Sequence, residues 1–227
     1  MSEARDAVFA ALEAARPSGP DSRPAPMTGP PMPKAPLEVL AARLGQNGGV
    51  LVRASPDDWT REVAWPRPLG DIEHLFVSEA VSQRSPGSDA PPDPGLVSRG
   101  VGQITGDVHA LSALEVCILE AEFCVVENGA SWQIPRSPQE RAAALLAEHL
   151  IVLVSASETV ASLHDAYARI DLSTTDFGWF LSGPSKTADI EQAMVLGAHG
   201  PKTMQLVLLG STPFSSSAPS TPSTPSA

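Results

Sequence analysis

Cysteine is scarce in this chain of 227 residues, which contains only Cys117 and Cys124. Two thiols exclude a disulfide framework, and they are too few for a four-cysteine iron–sulfur cluster held by this chain alone. Basic residues are also few, because 15 Lys and Arg stand against 26 Asp and Glu, a formal net charge of −11. No basic run is present that would bind nucleic acid or an anionic lipid surface.

Long hydrophobic runs are missing as well. No uncharged apolar run reaches the roughly 18 residues that a membrane span needs. Glu3, Arg5 and Asp6 give the first residues a charged character that is untypical of a signal peptide. Hydrophobic residues still make up 42% of the chain, enough for a buried core. We therefore expect a soluble, acidic protein of the cytoplasm.

The 23 prolines divide the chain, because they concentrate at 17–36, 86–94 and 213–225. Before the first cluster, Val8, Phe9 and Leu12 lie on one face of a predicted helix. After the last regular segment the residues are almost all Ser, Thr, Pro and Ala, a composition typical of disorder. The pattern predicts four parts: an N-terminal helix at 1–16, a Pro-rich linker at 17–36, an α/β domain at 37–210 and a disordered tail at 211–227.

Apolar runs and helical periodicity alternate in the domain. Strands are predicted at 50–52, 74–77, 116–119, 150–154, 177–181 and 204–209. Helices are predicted at 37–44, from 55, and at 138–148, 157–170 and 187–197. A hairpin is expected over 123–134, since Asn128-Gly129 is a strong turn signal. Strands joined by helices favour right-handed parallel crossovers. The predicted fold is therefore α/β, a mostly parallel sheet with helices on both faces and an antiparallel hairpin.

The strongest local signal for a site is the run Gly183-Pro184-Ser185-Lys186-Thr187-Ala188-Asp189. It lies between a predicted strand and a predicted helix, where ligands of open α/β sheets bind at the carboxyl ends of the strands. Free helix amides, two hydroxyls and one lysine would bind a carboxylate or a phosphate. The alternative is an ordinary helix cap made by Ser185 or Thr187.

Three further residue types, glutamate, histidine and cysteine, are candidates for a chemical role. Glu127, on its tight turn, is a candidate nucleophile or base, unless the turn is purely structural. His199 is either a polar group at a cleft mouth or a residue favoured at a helix terminus. The five histidines show no metal-ligand spacing, so we predict no metal site. Both cysteines lie in apolar strands and are expected to be small buried hydrophobes.

Residues 182–201 resemble a known family. The run from Ser182 to Glu191, followed by Leu196-Gly197-Ala198-His199-Gly200-Pro201, resembles the LutC branch of the LUD (lactate-utilisation) family. Upstream, the run from Ala121 to Ala130 is similar to the family's second motif, an acidic residue followed by Thr-Gly or Asn-Gly. The resemblance covers 96–209 and the helix at 3–15.

This resemblance implies a fold like that of the NagB/RpiA/CoA-transferase group. It implies oxidation of L-lactate to pyruvate beside two partner proteins that carry the iron–sulfur clusters, with no cofactor in this chain. From the local pattern we predict an anion pocket at 183–189 and His199, with Glu127, Asn128 and Gly129 facing it across the sheet ends.

The turn departs from the family pattern, because many relatives have Glu-Thr-Gly-Thr where this chain has Glu127-Asn128-Gly129-Ala130. CoA transferases of the same fold group carry a nucleophilic Glu on a Glu-Asn-Gly turn. Two alternatives therefore stay open: a free-standing CoA- or acyl-transferring enzyme that uses Glu127, and a non-catalytic scaffold subunit.

Overall fold

The computed structural model describes residues 2–15, 28–82, 111, 113–171, 173–190, 193–196 and 200–210. The predicted tail at 211–227, the Pro-rich stretch at 86–94 and most of the predicted linker lie outside the described residues. Of that linker, 28–35 is described, and Met32 packs there against the core. The C-terminal end of the predicted linker is therefore part of the domain.

A five-stranded sheet forms the centre of the domain, in the order β1-β11-β6-β3-β2. All four neighbouring pairs are parallel, which confirms the mostly parallel sheet. Its strands are β1 (Val50–Ala54), β2 (Leu75–Val77), β3 (Val116–Glu120), β6 (His149–Ser155) and β11 (Thr203–Leu209). Continuous apolar runs such as that of β6 fit a sheet covered on both faces.

Helices cover both faces of this sheet, as predicted. One face packs on α2 (Pro36–Gln46) and α5 (Pro138–Leu146), where Leu44 and Ala143 join Leu206 in one core cluster. The other face packs on α3 (Trp59–Glu62), a 3-10 turn (Leu69–Asp71) and α4 (Glu79–Ser82), in a second cluster that includes Trp59 and Val207. Alternate residues of each strand thus enter opposite clusters.

A second sheet packs beside the first, in the order β7-β4-β5-β8. Its strands are β4 (Phe123–Val125), β5 (Ser131–Gln133), β7 (Thr159–Val160) and β8 (Trp179–Leu181). The β4–β5 pair is antiparallel and confirms the predicted hairpin. Helix α6 (Leu163–Arg169) packs on this sheet, where Ala166 joins Phe123 and Val160 in a third cluster.

Three predicted elements of the second half differ from the structure in pairing, in length or in type. The strand predicted at 177–181 is β8, which pairs antiparallel with β5 instead of joining the parallel sheet. The helix predicted at 157–170 starts only at Leu163, because Ser162 closes a capping box with Asp165. The helix predicted at 187–197 is a hairpin of β9 (Lys186–Ile190) and β10 (Ala193–Leu196), in which the β-branched residues Thr187 and Val195 are paired.

Other predicted helices are confirmed with small differences. Helix α1 (Ser2–Ala14) forms over the expected residues. The Ser137 side chain caps α5 by accepting from the Glu140 amide, but the Glu140 carboxylate bonds the Arg136 amide instead of the Ser137 amide. The helix predicted from residue 55 begins at Trp59, after a turn in which Ser55 Oγ accepts from the Asp58 amide.

Candidate functional site

The predicted ligand loop lies at the amino ends of the parallel strands. The Ser185 amide donates to the Pro201 carbonyl at 2.9 Å, and the Gly183 amide contacts Met204 Sδ at 3.1 Å, both at the start of β11. The predicted position at the carboxyl end of the sheet is therefore wrong. The reason is the direction of β8, which belongs to the second sheet and runs antiparallel to β5.

The loop also opens no helix, because β9 begins at Lys186. The helix amides expected to bind an anion are thus missing from this position. The exposed Lys186 places its Nζ 3.4 Å from the carbonyl oxygen of Gln46, at the C-terminus of α2. A cation is favoured there by the negative end of the helix dipole.

A side-chain amide joins the two predicted motifs. Asn47, at the end of α2, donates through Nδ2 to the Asn128 carbonyl at 3.0 Å and to Ser182 Oγ at 2.6 Å. Ser182 Oγ in turn donates to the same Asn128 carbonyl at 3.0 Å. We call these three residues the Asn47 clamp. It ties α2, the β4–β5 turn and the loop after β8 into one unit.

Strand register explains why the two motifs meet. In the second sheet Ser131 pairs with Leu181, so the turn before Ser131 lies beside the residue after Leu181. The Asn128 side chain shapes that turn by accepting from the Ala130 amide at 3.0 Å. The structure therefore brings Asn128 and Gly129 close to Ser182 and Gly183.

Two glycines allow this close approach. Gly129 has φ +72°, and a Cβ there would lie 2.8 Å from the backbone nitrogen of Leu44. Gly183 has φ +87°, and a Cβ there would overlap the Asn47 carbonyl oxygen. Both positions therefore require glycine for conformation and for space.

Glu127 is bound to a different element. Its Oε2 accepts from the Leu163 amide at 2.8 Å, at the start of α6, and its own amide donates to the Ala161 carbonyl at 3.1 Å. The carboxylate is exposed and serves as a helix-terminal acceptor in this conformation. These contacts explain Glu127-Asn128-Gly129 as a structural turn.

The remaining predicted site residues are placed less closely. Pro184 lies near Gly48, at the start of β1, and Ser185 lies near Gly200. Thr187 and Asp189 belong to strand β9, and His199 lies outside the described residues.

Both cysteines are buried and neutral. Burial, with a smaller effect of Glu140, raises the pKa of the Cys117 thiol well above its usual value. Burial also raises the pKa of Cys124 to about 11, against the opposing hydrogen bond with Thr159. Since the thiolate is the nucleophile and metal ligand, the reading of both residues as buried hydrophobes is confirmed.

A cleft of about 420 Å³ lies between the second sheet and the end of α6. Its lining combines aromatic rings such as Phe123 with three carboxylates, from Glu122, Glu158 and Asp171. The guanidinium of Arg169 lies there too, but it is paired with Glu158 at 2.9 Å. Hydrogen bonds from Ser173 lower the pKa of Asp171 and keep it ionised. This negative lining makes the cleft a poor site for an anionic ligand.

The described residues offer neither a metal site nor a membrane-spanning helix. Within the described ranges, no group of three or more His, Cys, Asp or Glu side chains is arranged to hold a metal ion. Every helix in the same ranges is too short or too polar to cross a membrane.

Asn47 is the residue that sequence reasoning missed. The only local signal was a polar residue directly after a predicted helix and before Gly48-Gly49. That signal predicts a helix terminus and says nothing about Asn128 or Ser182, which are 81 and 135 positions away in the chain.

The fold defines an α/β protein with an all-parallel central sheet and a small mixed sheet beside it. The crystal structure of a DUF162 family protein from Deinococcus radiodurans has a similar fold, with a TM-score of 0.53. The match covers 79% of this chain and 100% of that chain at 18% identity, so it supports the fold alone.

The sequence of the C-terminal half matches a known family. Residues 108–209 match the family model described as LUD domain. The chain is 30% identical over 92 residues to Lactate utilization protein C of Shouchella clausii (strain KSM-K16), covering 38% of this chain and 40% of the relative. It is 31% identical over 101 residues to the protein of that name in Geobacillus kaustophilus (strain HTA426), covering 42% of each.

Residues 108–209 therefore match the LUD domain family, and the resemblance to the LutC branch is confirmed. The matched part spans about two fifths of the length of these curated relatives. The match to the family model begins at residue 108 and leaves out β1, although β1 completes the central sheet beside β11.

Proposed function

We propose that this chain is a subunit of a cytoplasmic system that oxidises L-lactate to pyruvate. The observation that carries the proposal is its similarity, over 92 and 101 residues, to two proteins named Lactate utilization protein C. The LUD domain at 108–209 covers most of the central sheet and all of the second sheet.

Oxidation of lactate releases an electron pair and two protons, which some redox group must accept. The chain's only thiols, Cys117 and Cys124, are buried with raised pKa values, so they are poor cluster ligands. In this proposal the electrons pass to two iron–sulfur partner proteins of the same system. The chain itself contributes binding and assembly.

Within this proposal, the loop Gly183 to Lys186 binds the small carboxylate. Support comes from the exposed ammonium group of Lys186, whose hydrogen bond to Gln46 is long at 3.4 Å and leaves donors available. A charged hydrogen bond to a carboxylate is worth about 1.5–3 kcal/mol.

Two observations bear on the alternatives. The Glu127 carboxylate accepts from the Leu163 amide, and acyl transfer through Glu127 would have to break that bond. The scaffold reading is the second candidate function, because helices α1 and α5 expose apolar side chains of the kind that an assembly surface needs.

Reconstitution tests the proposal. The purified chain is combined with the two iron–sulfur lactate-utilisation proteins of its own organism, and L-lactate oxidation is followed with a dye as electron acceptor. We expect activity only when all three are present, and no iron–sulfur absorbance from this chain alone. Full activity of the partner pair without this chain, or stoichiometric iron on the isolated chain, would contradict the proposal.

The carboxylate site has its own test. Lys186→Ala should raise the L-lactate concentration for half-maximal rate about 10- to 100-fold, the equivalent of one charged hydrogen bond. The matched control is Lys202→Ala, since Lys202 is also exposed but is paired with Glu148 at 3.0 Å. If both variants need the same L-lactate concentration for half-maximal rate, Lys186 does not bind the carboxylate and the scaffold subunit is favoured.

A further inference from the structure

Two helices of the chain expose apolar faces that nothing in the described structure covers. On α1, Val8, Phe9 and Leu12 are 58%, 57% and 61% exposed. On α5, Leu145 and Leu146 are 48% and 44% exposed. Isolated exposed leucines are ordinary, but contiguous apolar stripes on helices mark interaction surfaces.

The stripe on α1 needs a partner to be stable. Its 13 residues are about the length at which an isolated helix is marginal in water. Arg5 stacks on the Phe9 ring at 5.6 Å. Asp6 and Glu13 lie two turns apart on the same flank of the stripe. We call this surface the α1 stripe; it is apolar with an acidic edge.

The outer face of α5 has complementary features. The inward side chains of α5, including Ala143 and Ala144, are in the core, whereas Leu145 faces outward one turn after Arg141. The Arg141 guanidinium lies over the Phe177 ring at 4.7 Å, and Phe177 is itself 39% exposed. We call these residues, with Leu146, the α5 face.

Arg141 is the cation of that face without an anionic partner. Its Nε is buried and has no hydrogen-bond partner, and no carboxylate in the described part of the chain forms an ion pair with it. A half-buried guanidinium stacked on an aromatic ring is well placed to bind a carboxylate through two parallel hydrogen bonds. The α5 face is therefore apolar with a basic edge, the complement of the α1 stripe.

We infer that two copies of this chain form a two-fold dimer by exchanging helices, so that the α1 stripe of each copy covers the α5 face of the other. Asp6 or Glu13 of one copy then binds Arg141 of the other. The inference does not depend on lactate oxidation. It assigns to a second copy of this chain the exposed apolar side chains of α1 and α5 that a scaffold subunit would offer to other proteins.

A second copy is the occupant that the geometry favours. No described residue of the same chain covers either surface, and both are exposed to solvent there. A two-fold axis makes the exchange reciprocal, so one association event buries two stripes and two acceptor faces. That doubling matters, because a single short helix buries too little area to offset the entropy lost on association.

Solution mass measures the dimer directly. Light scattering coupled to size exclusion should give twice the chain mass of 23.7 kDa for the natural sequence at micromolar concentration. The combined variant Val8→Ala, Phe9→Ala and Leu12→Ala keeps helix propensity and should return the mass to that of one chain. Ala10→Gln, on the opposite side of α1, is the matched control and should stay dimeric. A monomeric natural chain, or a dimeric triple variant, would overturn the inference.

Cross-linking distinguishes exchange from docking within one chain. The natural cysteines are buried, so only the introduced thiols are accessible for a disulfide. A Leu12→Cys chain mixed with a Leu145→Cys chain should give a disulfide-linked heterodimer, which neither gives alone. A chain with both changes that closes into an intramolecular disulfide and runs as a monomer would overturn the inference.

Charge reversal tests the ion pair. Arg141→Glu should weaken the dimer at least 10-fold, and adding Asp6→Arg with Glu13→Arg in the same chain should restore it. Arg53→Glu, an exposed change on β1, is the control and should leave the dimer unaffected. Equal dissociation constants for Arg141→Glu and Arg53→Glu would remove the ion pair from the interface.

Discussion

The two sheets of this protein are stabilised in different ways. Strands β6 and β11 of the central sheet are seven residues long and almost wholly buried, with apolar side chains on both faces. The strands of the second sheet are two or three residues long. Hydrogen bonds of polar side chains link these strands. For example, Trp179 Nε1 of β8 donates to Gln133 Oε1 of β5 at 3.0 Å.

The difference shows where the stability of each sheet resides. Removal of apolar area from water stabilises the central sheet, a force that is non-directional and tolerant of small shifts. The second sheet has a smaller apolar cluster around Phe123 and relies in addition on hydrogen bonds of fixed geometry, including those of the Asn47 clamp. Substitutions should therefore destabilise the two sheets by different amounts and for different reasons.

The largest effect is expected in the centre of the parallel sheet. Leu206 is fully buried in β11, and Leu206→Ala should lower the free energy of unfolding by about 2–5 kcal/mol, through lost burial and a residual cavity. Leu181→Ala in β8 is the counterpart in the second sheet, where the side chain is only partly buried. Chemical denaturation of both variants makes the comparison, and an equal loss would contradict it.

Gly183→Ala should be the most damaging single change at the Asn47 clamp. The positive φ costs about 1–3 kcal/mol, and overlap with the Asn47 carbonyl adds to that cost. Gly210→Ala separates the two effects, because Gly210 has φ +109° but open space around its Cβ position. Thermal unfolding should show a clearly larger loss for Gly183→Ala; similar losses would mean that the close approach to Asn47 is unimportant.

Asn47→Ala removes the donor of the clamp and leaves the Asn128 carbonyl with Ser182 alone. We expect a loss of about 1–3 kcal/mol, the net contribution of two hydrogen bonds between partly buried groups. Gln46→Ala, one residue earlier in α2, removes only an exposed bond from Arg43 and should change stability by less than about 0.5 kcal/mol. Urea denaturation of both variants decides whether the clamp is structural.

The smallest effect is a pH dependence at the amino end of the central sheet. Burial is the main cause that lowers the pKa of His149, below its usual value of about 6.5. The folded state therefore binds fewer protons than the unfolded state. Stability is retained above about 6.5 and declines as pH falls through the lowered folded pKa.

His149→Gln should flatten the stability curve over this range, and His164→Gln provides a control in α6. Unfolding measured from pH 7 to pH 5 should show a shallower slope for His149→Gln only. An unchanged slope would assign the pH dependence to other groups.

Local patterns predicted the central sheet well for a physical reason. A strand buried on both faces is a continuous apolar run, as in Leu150 to Val154. Few other secondary structures suit so short and wholly apolar a run. The Asn128-Gly129 turn was predicted for a similar reason, since positive φ at Gly129 is a local requirement.

The second sheet was harder to predict because its pairings are decided at long range. The run from Trp179 to Leu181 has the pattern of any buried strand, and only its pairing with β5 shows that it leaves the central sheet. The acidic residues after Lys186 imitate a helix N-terminus, yet that segment forms a hairpin. Because of that error the loop was predicted at the carboxyl ends of the parallel strands, whereas it lies at their amino ends. The Asn47 clamp depends on contacts that no local signal encodes.

Growth on lactate tests the proposed function most directly. The coding sequence is deleted in the organism of origin, and growth is measured with L-lactate or with pyruvate as the sole carbon source. The account predicts that growth on L-lactate is lost and growth on pyruvate is kept, and that the natural chain restores growth on L-lactate. Unimpaired growth of the deletion strain on L-lactate, in an organism with no second route from lactate to pyruvate, would contradict it.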